Sequence, residues 1–379
     1  MAVTVDRATK TRRRPAAPDV IEIGLVNSMP DGALEATERQ FIDLVESAAG
    51  DLPVRLRFFS LPEVPRGERG RRHVEASYGE IDEVHNGGRL DALVVTGTEP
   101  RAVTLADEPY WPALTALIDW ADRNTISTVW SCLAAHAAVL HVDGIQRHPL
   151  AEKCIGVFDC AATGVHPLTR GLVSIAVPHS RHNELREAEL VGHGYEVLTR
   201  SPQAGVDAFI KQRNSLFVHF QGHPEYDAIS LLGEYRRDVG RFLRGERDVY
   251  PAMPFGYFDA DTEALLTAFR DRALADRCEA LMAELPLAAA EQSLNGAWRP
   301  GARKLYRNWL GWVAARKARR PVPRTGLAPP RRATSTLAAR LPVAANGNDI
   351  QPPLVERRRF DDPNCYFTGP RDRRVTAQP

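Results

Sequence analysis

The chain has 379 residues, of which 44% are hydrophobic and 26% charged, so it resembles a globular protein with room for a large core. Its formal net charge of +1 excludes a global field that would draw it to nucleic acid or to a membrane. Five scattered cysteines without a C-x-x-C pair exclude a disulfide framework and indicate a reducing compartment. No apolar run approaches the ~18 residues of a membrane span, and no signal peptide follows the basic N-terminus, so we expect a cytoplasmic protein.

The two ends of the chain differ from its middle. Residues 1–19 are basic and aperiodic, which predicts a disordered arm. Residues 321–379 hold ten of the 28 prolines and ten arginines against five acids, which predicts a mostly disordered, solvated tail rather than one that binds nucleic acid or lipid. One folded domain is therefore expected over residues 20–320.

Short apolar stretches alternate with amphipathic ones inside that domain. The predicted strands are "IEIGLVN" (21–27), "VRLRFFSL" (54–61), "LDALVVTG" (90–97) and "TISTVWS" (125–131). The predicted helices between and after them are "ALEATERQFIDLVESAA" (33–49), "YWPALTALIDWADRN" (110–124) and "CLAAHAAVLHV" (132–142). This alternation predicts an α/β fold with a mostly parallel sheet that helices cover on both faces. Ligands of such sheets bind beyond the carboxyl ends of the strands.

Cys132 stands at the joint between a predicted strand and a predicted helix. A tight turn there presents its residue above the sheet, and the positive helix end favours a thiolate. The small neighbours Ser131, Ala134 and Ala135 suit this geometry, which resembles the nucleophile elbow of hydrolases, although the glycines of that motif are absent. The alternative is a buried cysteine that packs as a small hydrophobe.

A nucleophilic cysteine needs a base, and the base needs a group that orients it. In "LFVHFQGHPEYD" (216–227) an apolar strand ends just before His223 and Glu225, which project to the same side of an extended segment. With Cys132 they form a candidate Cys-His-Glu triad; the alternative is a loop histidine beside a surface glutamate. No metal site is expected, because neither H-E-x-x-H nor P-C-x-x-C occurs.

A second polar cluster, "VPHSRHNELR" (177–186), carries too many polar side chains for a core strand. It is either a solvated loop or a site in which Ser180 and Arg181 hold a carboxylate or an amino group.

Together these segments resemble the homoserine O-succinyltransferase and O-acetyltransferase family, whose fold is that of the class I glutamine amidotransferases, with flavodoxin-like layering. The resemblance covers roughly residues 20–315 and separates the chain from ordinary glutaminases. It rests on "NSMP" (27–30), "LDALVVTG" with "YW" (110–111), "STVWSCLAAHAA", "EKCIGVFD" (152–159), "PHSRH" (178–182), "GHPEYD" (222–227), "GEYRRD" (233–238), "PFGYF" (254–258) and "WRPGARKLYRNWL" (298–310).

The resemblance implies Cys132 as the acyl-accepting nucleophile, His223 as the proton acceptor and Glu225 as its partner. It implies three substrate-binding side chains: Lys153, Ser180 and Arg237. It also implies an oxyanion hole made by the backbone N–H of Leu133 and one from the Gly97–Thr98 turn.

The implied reaction transfers an acyl group from acyl-CoA to the hydroxyl of L-homoserine through an acyl-cysteine, in methionine biosynthesis. No bound cofactor is implied beyond succinyl-CoA or acetyl-CoA as co-substrate, and family members suggest a homodimer. An ungapped reading from Gly97 to Trp111 places Arg101 at the position that sorts acyl donors, where a guanidinium favours succinyl. A shift of two residues places Glu99 there instead and favours acetyl.

Two departures from the family pattern keep other functions open. Asp31 and Gly32 stand where lysines are common, and Leu133 follows the nucleophile where tryptophan is usual. The alternatives are an amidohydrolase of the same fold that attacks glutamine, and a non-catalytic regulatory protein that kept the fold.

Overall fold

The computed structural model describes residues 3–6, 17–85, 90–294 and 296–319. Within these ranges ten segments are strands: β1 (Val3–Asp6), β2 (Ile21–Val26), β3 (Val54–Phe59), β4 (Ala92–Val95), β5 (Ser127–Ser131), β6 (His148–Ala162), β7 (Ser174–Glu184), β8 (Glu196–Ser201), β9 (Gly205–Gln212) and β10 (Leu216–Phe220). The α-helices in the same ranges are α1 (Asp31–Ala49), α2 (Glu68–Ser77), α3 (Ile81–His85), α4 (Trp111–Asn124), α5 (Leu133–Asp143), α6 (Glu187–Gly192), α7 (Ser230–Leu243), α8 (Ala260–Ala275), α9 (Leu287–Gln292) and α10 (Arg299–Lys317). The predicted tail, 321–379, lies outside the described residues.

All ten strands join one sheet in the order β1-β3-β2-β4-β5-β10-β9-β8-β6-β7. Neighbours from β1 to β10 in this order pair in parallel, and neighbours from β10 to β7 pair antiparallel. The parallel run β3-β2-β4-β5-β10 has the strand order of flavodoxin-like sheets. The sheet is therefore mixed, and its parallel half carries the elements that the sequence predicted.

Helices cover both faces of this sheet. Because successive side chains of a strand alternate between faces, Ile23 and Leu25 of β2 pack with α1 and α10 on one side, whereas Val26 packs with α4 and α5 on the other. Phe41 of α1 and Leu310 of α10 are almost fully buried in the first layer. The predicted α/β class, with helices on both faces of the sheet, is confirmed.

Two segments differ from their predictions. Residues 3–6, inside the predicted basic arm, form the edge strand β1 and pair with β3. The expectation that "VPHSRHNELR" is too polar for a core strand is wrong, because most of it belongs to β7, where His179 and Arg181 are 0% and 4% exposed. Arg181 tolerates burial because its guanidinium donates to the carbonyl oxygens of Asn183 and Ala204.

In the part of the chain that the structure describes, no helix combines the length and apolarity that a membrane crossing requires.

Candidate active site

Cys132 occupies the turn between β5 and α5 with φ 52° and ψ −113°. A positive φ is unusual for a residue other than glycine, and such backbone geometry concentrates at functional sites. The Cys132 N–H donates to the carbonyl oxygen of Phe220 at 2.8 Å, which ties the turn to the end of β10. The side chain is half-buried. The predicted strand-to-helix elbow is thus present, without the glycines of the hydrolase motif.

His223 and Glu225 follow β10 directly and touch each other. Nδ1 of His223 lies 2.8 Å from Oε1 of Glu225, so the predicted pair is in contact. The segment is a turn rather than extended, because the Tyr226 backbone N–H donates to the His223 carbonyl oxygen at 3.2 Å. The backbone N–H of His223 donates to the carbonyl oxygen of Pro178 at 2.7 Å, and the Ser131 hydroxyl lies 3.4 Å from Oε1 of Glu225. Both side chains are buried, so their orientation is held by protein groups rather than by solvent.

Cys132 lies close enough to the same imidazole to influence its pKa. Burial by itself lowers the pKa of His223, but the charges of Cys132 and Glu225 and the hydrogen bonds to both raise that pKa well above its usual value. Both neighbours therefore favour the protonated form of the imidazole. The structure brings the three candidate triad residues together in the predicted series.

Gly97 lies against the first residue of α5. A Cβ on Gly97 would stand 2.9 Å from Cβ of Leu133 and 3.0 Å from its backbone nitrogen, so only glycine allows this approach. Thr98 and Leu133 line one small pocket with Gly97. The Gly97–Thr98 turn and Leu133, which were predicted to supply the backbone N–H groups of an oxyanion hole, thus lie beside each other. Leu133 directly follows Cys132 in the chain.

The three predicted substrate-binding side chains converge on Glu234 of α7, a residue that was not predicted to belong to the site. Nζ of Lys153 lies 3.1 Å from Oε2 of Glu234, the Ser180 hydroxyl donates to the same oxygen, and a guanidinium nitrogen of Arg237 lies 3.7 Å away. Burial alone raises the pKa of Glu234, but the Lys153 charge and the Ser180 hydrogen bond hold it below its usual range. Glu234 is therefore ionised in a site surrounded by donors.

Asp238 lies one helical turn after Glu234 on α7 and completes this charged site. It accepts from Lys153 at 2.9 Å and lies 3.4 Å from Nε of Arg237. Two further arginines, Arg241 and Arg247, lie 3.8 Å and 3.9 Å from its oxygens. The spacing of four residues in "GEYRRD" indicates that both carboxylates share one helix face, and that signal was available in the sequence.

Tyr226 connects this charged site to the triad and was also missed. Its ring stacks on the His223 imidazole with centroids 4.2 Å apart, and its hydroxyl donates to Oε1 of Glu234 at 2.7 Å. The Trp298 indole N–H donates to the Tyr226 carbonyl oxygen at 2.8 Å and fixes the backbone there. Only the Tyr226 side chain thus separates a substrate bound at Glu234 from His223.

The two positions considered for acyl-donor choice have different environments. Arg101 is exposed, and its backbone N–H donates to Oε1 of Glu108. Glu99 is half-buried; burial raises its pKa, and the charges of Arg237 and Arg241 oppose that rise. The role of Arg101 stays a prediction.

A second group of titratable side chains lies under the site. Cys160, His179 and Asp207 are buried, with possible ligand atoms within 4.8 Å of one another. Nε of Arg181 donates to Nδ1 of His179 at 3.4 Å, and burial raises the pKa of Cys160 strongly, so the sulfur stays a thiol. A Cβ on Gly222 would stand 2.7 Å from Asp207 and 2.9 Å from His179, so this group supports the backbone that precedes His223.

Comparison with known proteins agrees with the predicted family. The family model described as Homoserine O-succinyltransferase matches residues 1–320. A homoserine O-succinyltransferase of Rhodopseudomonas palustris is 53% identical over 81% of this chain and 92% of that protein, and one of Bradyrhizobium japonicum is 49% identical over 80% and 93%. The crystal structure of a glutamine amido transferase from Methylobacillus flagellatus matches with a TM-score of 0.43 and 16% identity, over 78% of this chain and 95% of that one. A glutamine amidotransferase from Thermotoga maritima matches with a TM-score of 0.41 and 12% identity, over 78% and 98%. With the family model matching residues 1–320 and curated relatives at about half identity, the chain belongs to the homoserine O-succinyltransferase family.

Proposed function

We propose that this protein transfers a succinyl group from succinyl-CoA to the hydroxyl of L-homoserine, in methionine biosynthesis, through an acyl-cysteine intermediate. The observation that carries the proposal is the contact of His223 with Glu225 after β10, next to the Cys132 turn that is bonded to the end of the same strand, in a member of this family. Acetyl-CoA is the alternative donor. We also propose a cytoplasmic homodimer that needs no bound cofactor and no nucleic acid or membrane partner.

In the first half-reaction the Cys132 thiolate attacks the thioester carbonyl carbon of the acyl-CoA. The carbonyl oxygen takes up the negative charge and is stabilised by the backbone N–H groups of Leu133 and of the Gly97–Thr98 turn. When the tetrahedral intermediate collapses, the bond from carbon to the CoA sulfur breaks and the leaving thiolate takes the proton from the His223 imidazolium. Succinyl-cysteine and a neutral imidazole remain.

Acylation itself prepares His223 for the second half-reaction. The negative charge of Cys132 is one of the causes that raise the pKa of His223, and a thioester no longer carries that charge. Burial, which lowers the pKa, is then opposed by Glu225 but no longer by Cys132, so a larger fraction of His223 is neutral and available as a base in the acyl-enzyme. One residue thus serves as the acid in the first half and as the base in the second.

Homoserine binds at the charged site on α7 in this scheme. Glu234 accepts its ammonium group and Arg237 binds its carboxylate, while Lys153 and Ser180 hold Glu234 in place. His223 removes the proton from the γ-hydroxyl, and the oxygen attacks the acyl-cysteine. The Cys132 thiolate leaves, O-succinylhomoserine is released, and the free thiolate again raises the pKa of His223.

Mass spectrometry of the Cys132 peptide tests the proposal directly. Purified protein mixed with succinyl-CoA alone should gain one succinyl group on that peptide, and added homoserine should remove it. Cys278→Ala, which changes an exposed cysteine, should leave the labelling intact, whereas Cys132→Ala should abolish it. An unlabelled peptide with intact thioester favours the non-catalytic alternative, and ammonia release from glutamine favours the amidohydrolase.

A further inference from the structure

Gln221 lies two residues before His223, and its side-chain amide connects the end of β10 with β9 and with the segment after β7. The side chain is 0% exposed. Its Nε2 donates to the carbonyl oxygens of Val206 at 2.8 Å and Leu185 at 3.3 Å, while its Oε1 accepts the Leu185 backbone N–H at 2.7 Å. These partners fix the orientation of the amide, because the nitrogen faces two carbonyl groups and the oxygen faces an N–H group. Oε1 can therefore only accept further hydrogen bonds.

His136 of α5 makes a further contact with this amide. Its Nε2 lies 3.0 Å from Oε1 of Gln221. Because Oε1 can only accept, the imidazole must donate, so its proton is on Nε2. Within the described residues Nδ1 of His136 has no hydrogen-bond partner, and burial lowers the pKa of His136 to about 3, so the ring is neutral at pH 7. His136 is thus a neutral donor with a fixed tautomer.

This contact joins the element that carries the nucleophile to the segment that carries the base. His136 lies one helical turn after Cys132, and its backbone N–H donates to the Cys132 carbonyl oxygen at 3.3 Å. On the other side of the contact, a Cβ on Gly222 would stand 2.6 Å from a side chain of β7, so the backbone between Gln221 and His223 is tightly packed. A movement of Gln221 therefore moves His223 as well.

Two of the hydrogen bonds between α5 and the end of β10 lie one helical turn apart. One runs from the Cys132 backbone N–H to the Phe220 carbonyl oxygen at 2.8 Å, and the other runs from His136 to Gln221. The first bond alone would leave the helix free to rotate about it, whereas the two together fix the direction of α5 as well as its distance. Catalysis by proximity needs this precision, because a displacement of about 1 Å can cost about a hundredfold in rate.

We propose that His136 is a positioning residue: its hydrogen bond to Gln221 aligns the nucleophile with the base. The effect on catalysis rests on the proposed function. His136 is 3% exposed and acts without touching the substrate. Without its hydrogen bond the separation of the Cys132 sulfur and the His223 imidazole should vary more, so both half-reactions, which pass a proton through His223, should slow together. The proposed homoserine site at Glu234 lies on α7, outside this connection, so homoserine binding should not change.

Steady-state kinetics of His136 variants in the full chain test the proposal. His136→Phe keeps an aromatic ring but cannot donate, so kcat should fall about tenfold to a hundredfold while KM for homoserine stays within about twofold. His136→Gln places an amide N–H near the position of Nε2 and should restore kcat to within about threefold of the wild type. His219→Phe is the matched control and should change neither constant. His219 of β10 is 1% exposed, yet neither of its ring nitrogens makes a hydrogen bond within the described ranges.

Alkylation of Cys132 by iodoacetamide measures the alignment without any acyl transfer. A protonated His223 beside the sulfur favours the reactive thiolate. His136→Phe should therefore slow alkylation, by about threefold for each tenfold loss of thiolate, because the remaining thiolate is more nucleophilic. His136→Gln and His219→Phe should both keep the rate of the wild type.

The outcomes separate this inference from the proposed function. If the wild type places no succinyl group on Cys132, the proposed function fails, whereas the alkylation rates still decide whether His136 aligns the sulfur with the base. If the wild type is acylated but His136→Phe keeps its kcat, or His136→Gln loses as much as His136→Phe, only the inference is overturned. A raised KM for homoserine with an unchanged kcat also overturns it. Should His136→Phe fail to fold, judged by its thermal melt, His136→Leu, which likewise cannot donate, takes its place.

Discussion

Replacement of Gly97 by alanine tests whether the oxyanion hole lies where the backbone contact indicates. The new Cβ would stand 2.9 Å from Cβ of Leu133 and 3.0 Å from its nitrogen, whereas ordinary contacts begin near 3.4 Å. Leu133 is buried and begins α5, so the loop after β4 must retreat by about half an ångström. Oxyanion donors act over ~2.7–3.1 Å, and loss of one costs about 2.7–4 kcal/mol, or roughly 10²–10³ in kcat.

Two rates measured on the same protein separate this effect from damage to the nucleophile. Rapid-quench acylation of Cys132 by succinyl-CoA should slow by about 10²–10³, while alkylation of the thiol by iodoacetamide, which forms no oxyanion, should keep its rate. Gly311→Ala is the control, because a Cβ there meets nothing within 4 Å, and both rates should be unchanged. Folded Gly97→Ala protein that loses less than about tenfold in acylation, or that loses both rates equally, would refute the reasoning.

Three further predictions address the base, the connecting tyrosine and the tail. Cys132→Ala should abolish transfer and lower the pKa of His223, read from its ring resonances by NMR, because the charge of residue 132 raises that pKa; an unchanged titration contradicts the contact. Because the pKa of His223 is raised in the folded protein, its protonation stabilises the fold fully below the unfolded pKa of about 6.5, and this stabilisation is lost as the pH rises through the folded pKa. The variant should therefore lose less stability than the wild type as the pH rises through that range. Tyr226→Phe keeps the stacking but loses the bond to Glu234, so KM for homoserine should rise about tenfold while acylation stays unchanged; equal losses in both half-reactions would exclude this role. Removal of residues 321–379 should leave kcat/KM within about twofold in the same assay, and an inactive truncated chain would show that the tail is required.

The parts of the site that follow from local geometry were predictable. A run of β-formers followed by small apolar residues predicts a strand, a turn and a helix, and Cys132 lies at that turn between β5 and α5. Likewise, His223 contacts Glu225 two residues later, although a turn joins them and not the extended segment that we predicted. Each of these relations lies within a few residues of chain.

Relations between distant segments were decided only by the tertiary structure. Ser180 and Glu234 are 54 residues apart in the chain and Lys153 and Glu234 are 81 apart, so the helical spacing of Glu234 and Asp238 does not reveal which side chains meet them. The burial of Arg181 in β7 depends on a carbonyl group of Ala204, 23 residues away. A strand tolerates such polar residues only when the order of strands in the sheet delivers their partners, and that order is set by packing of both faces rather than by the composition of the strand itself.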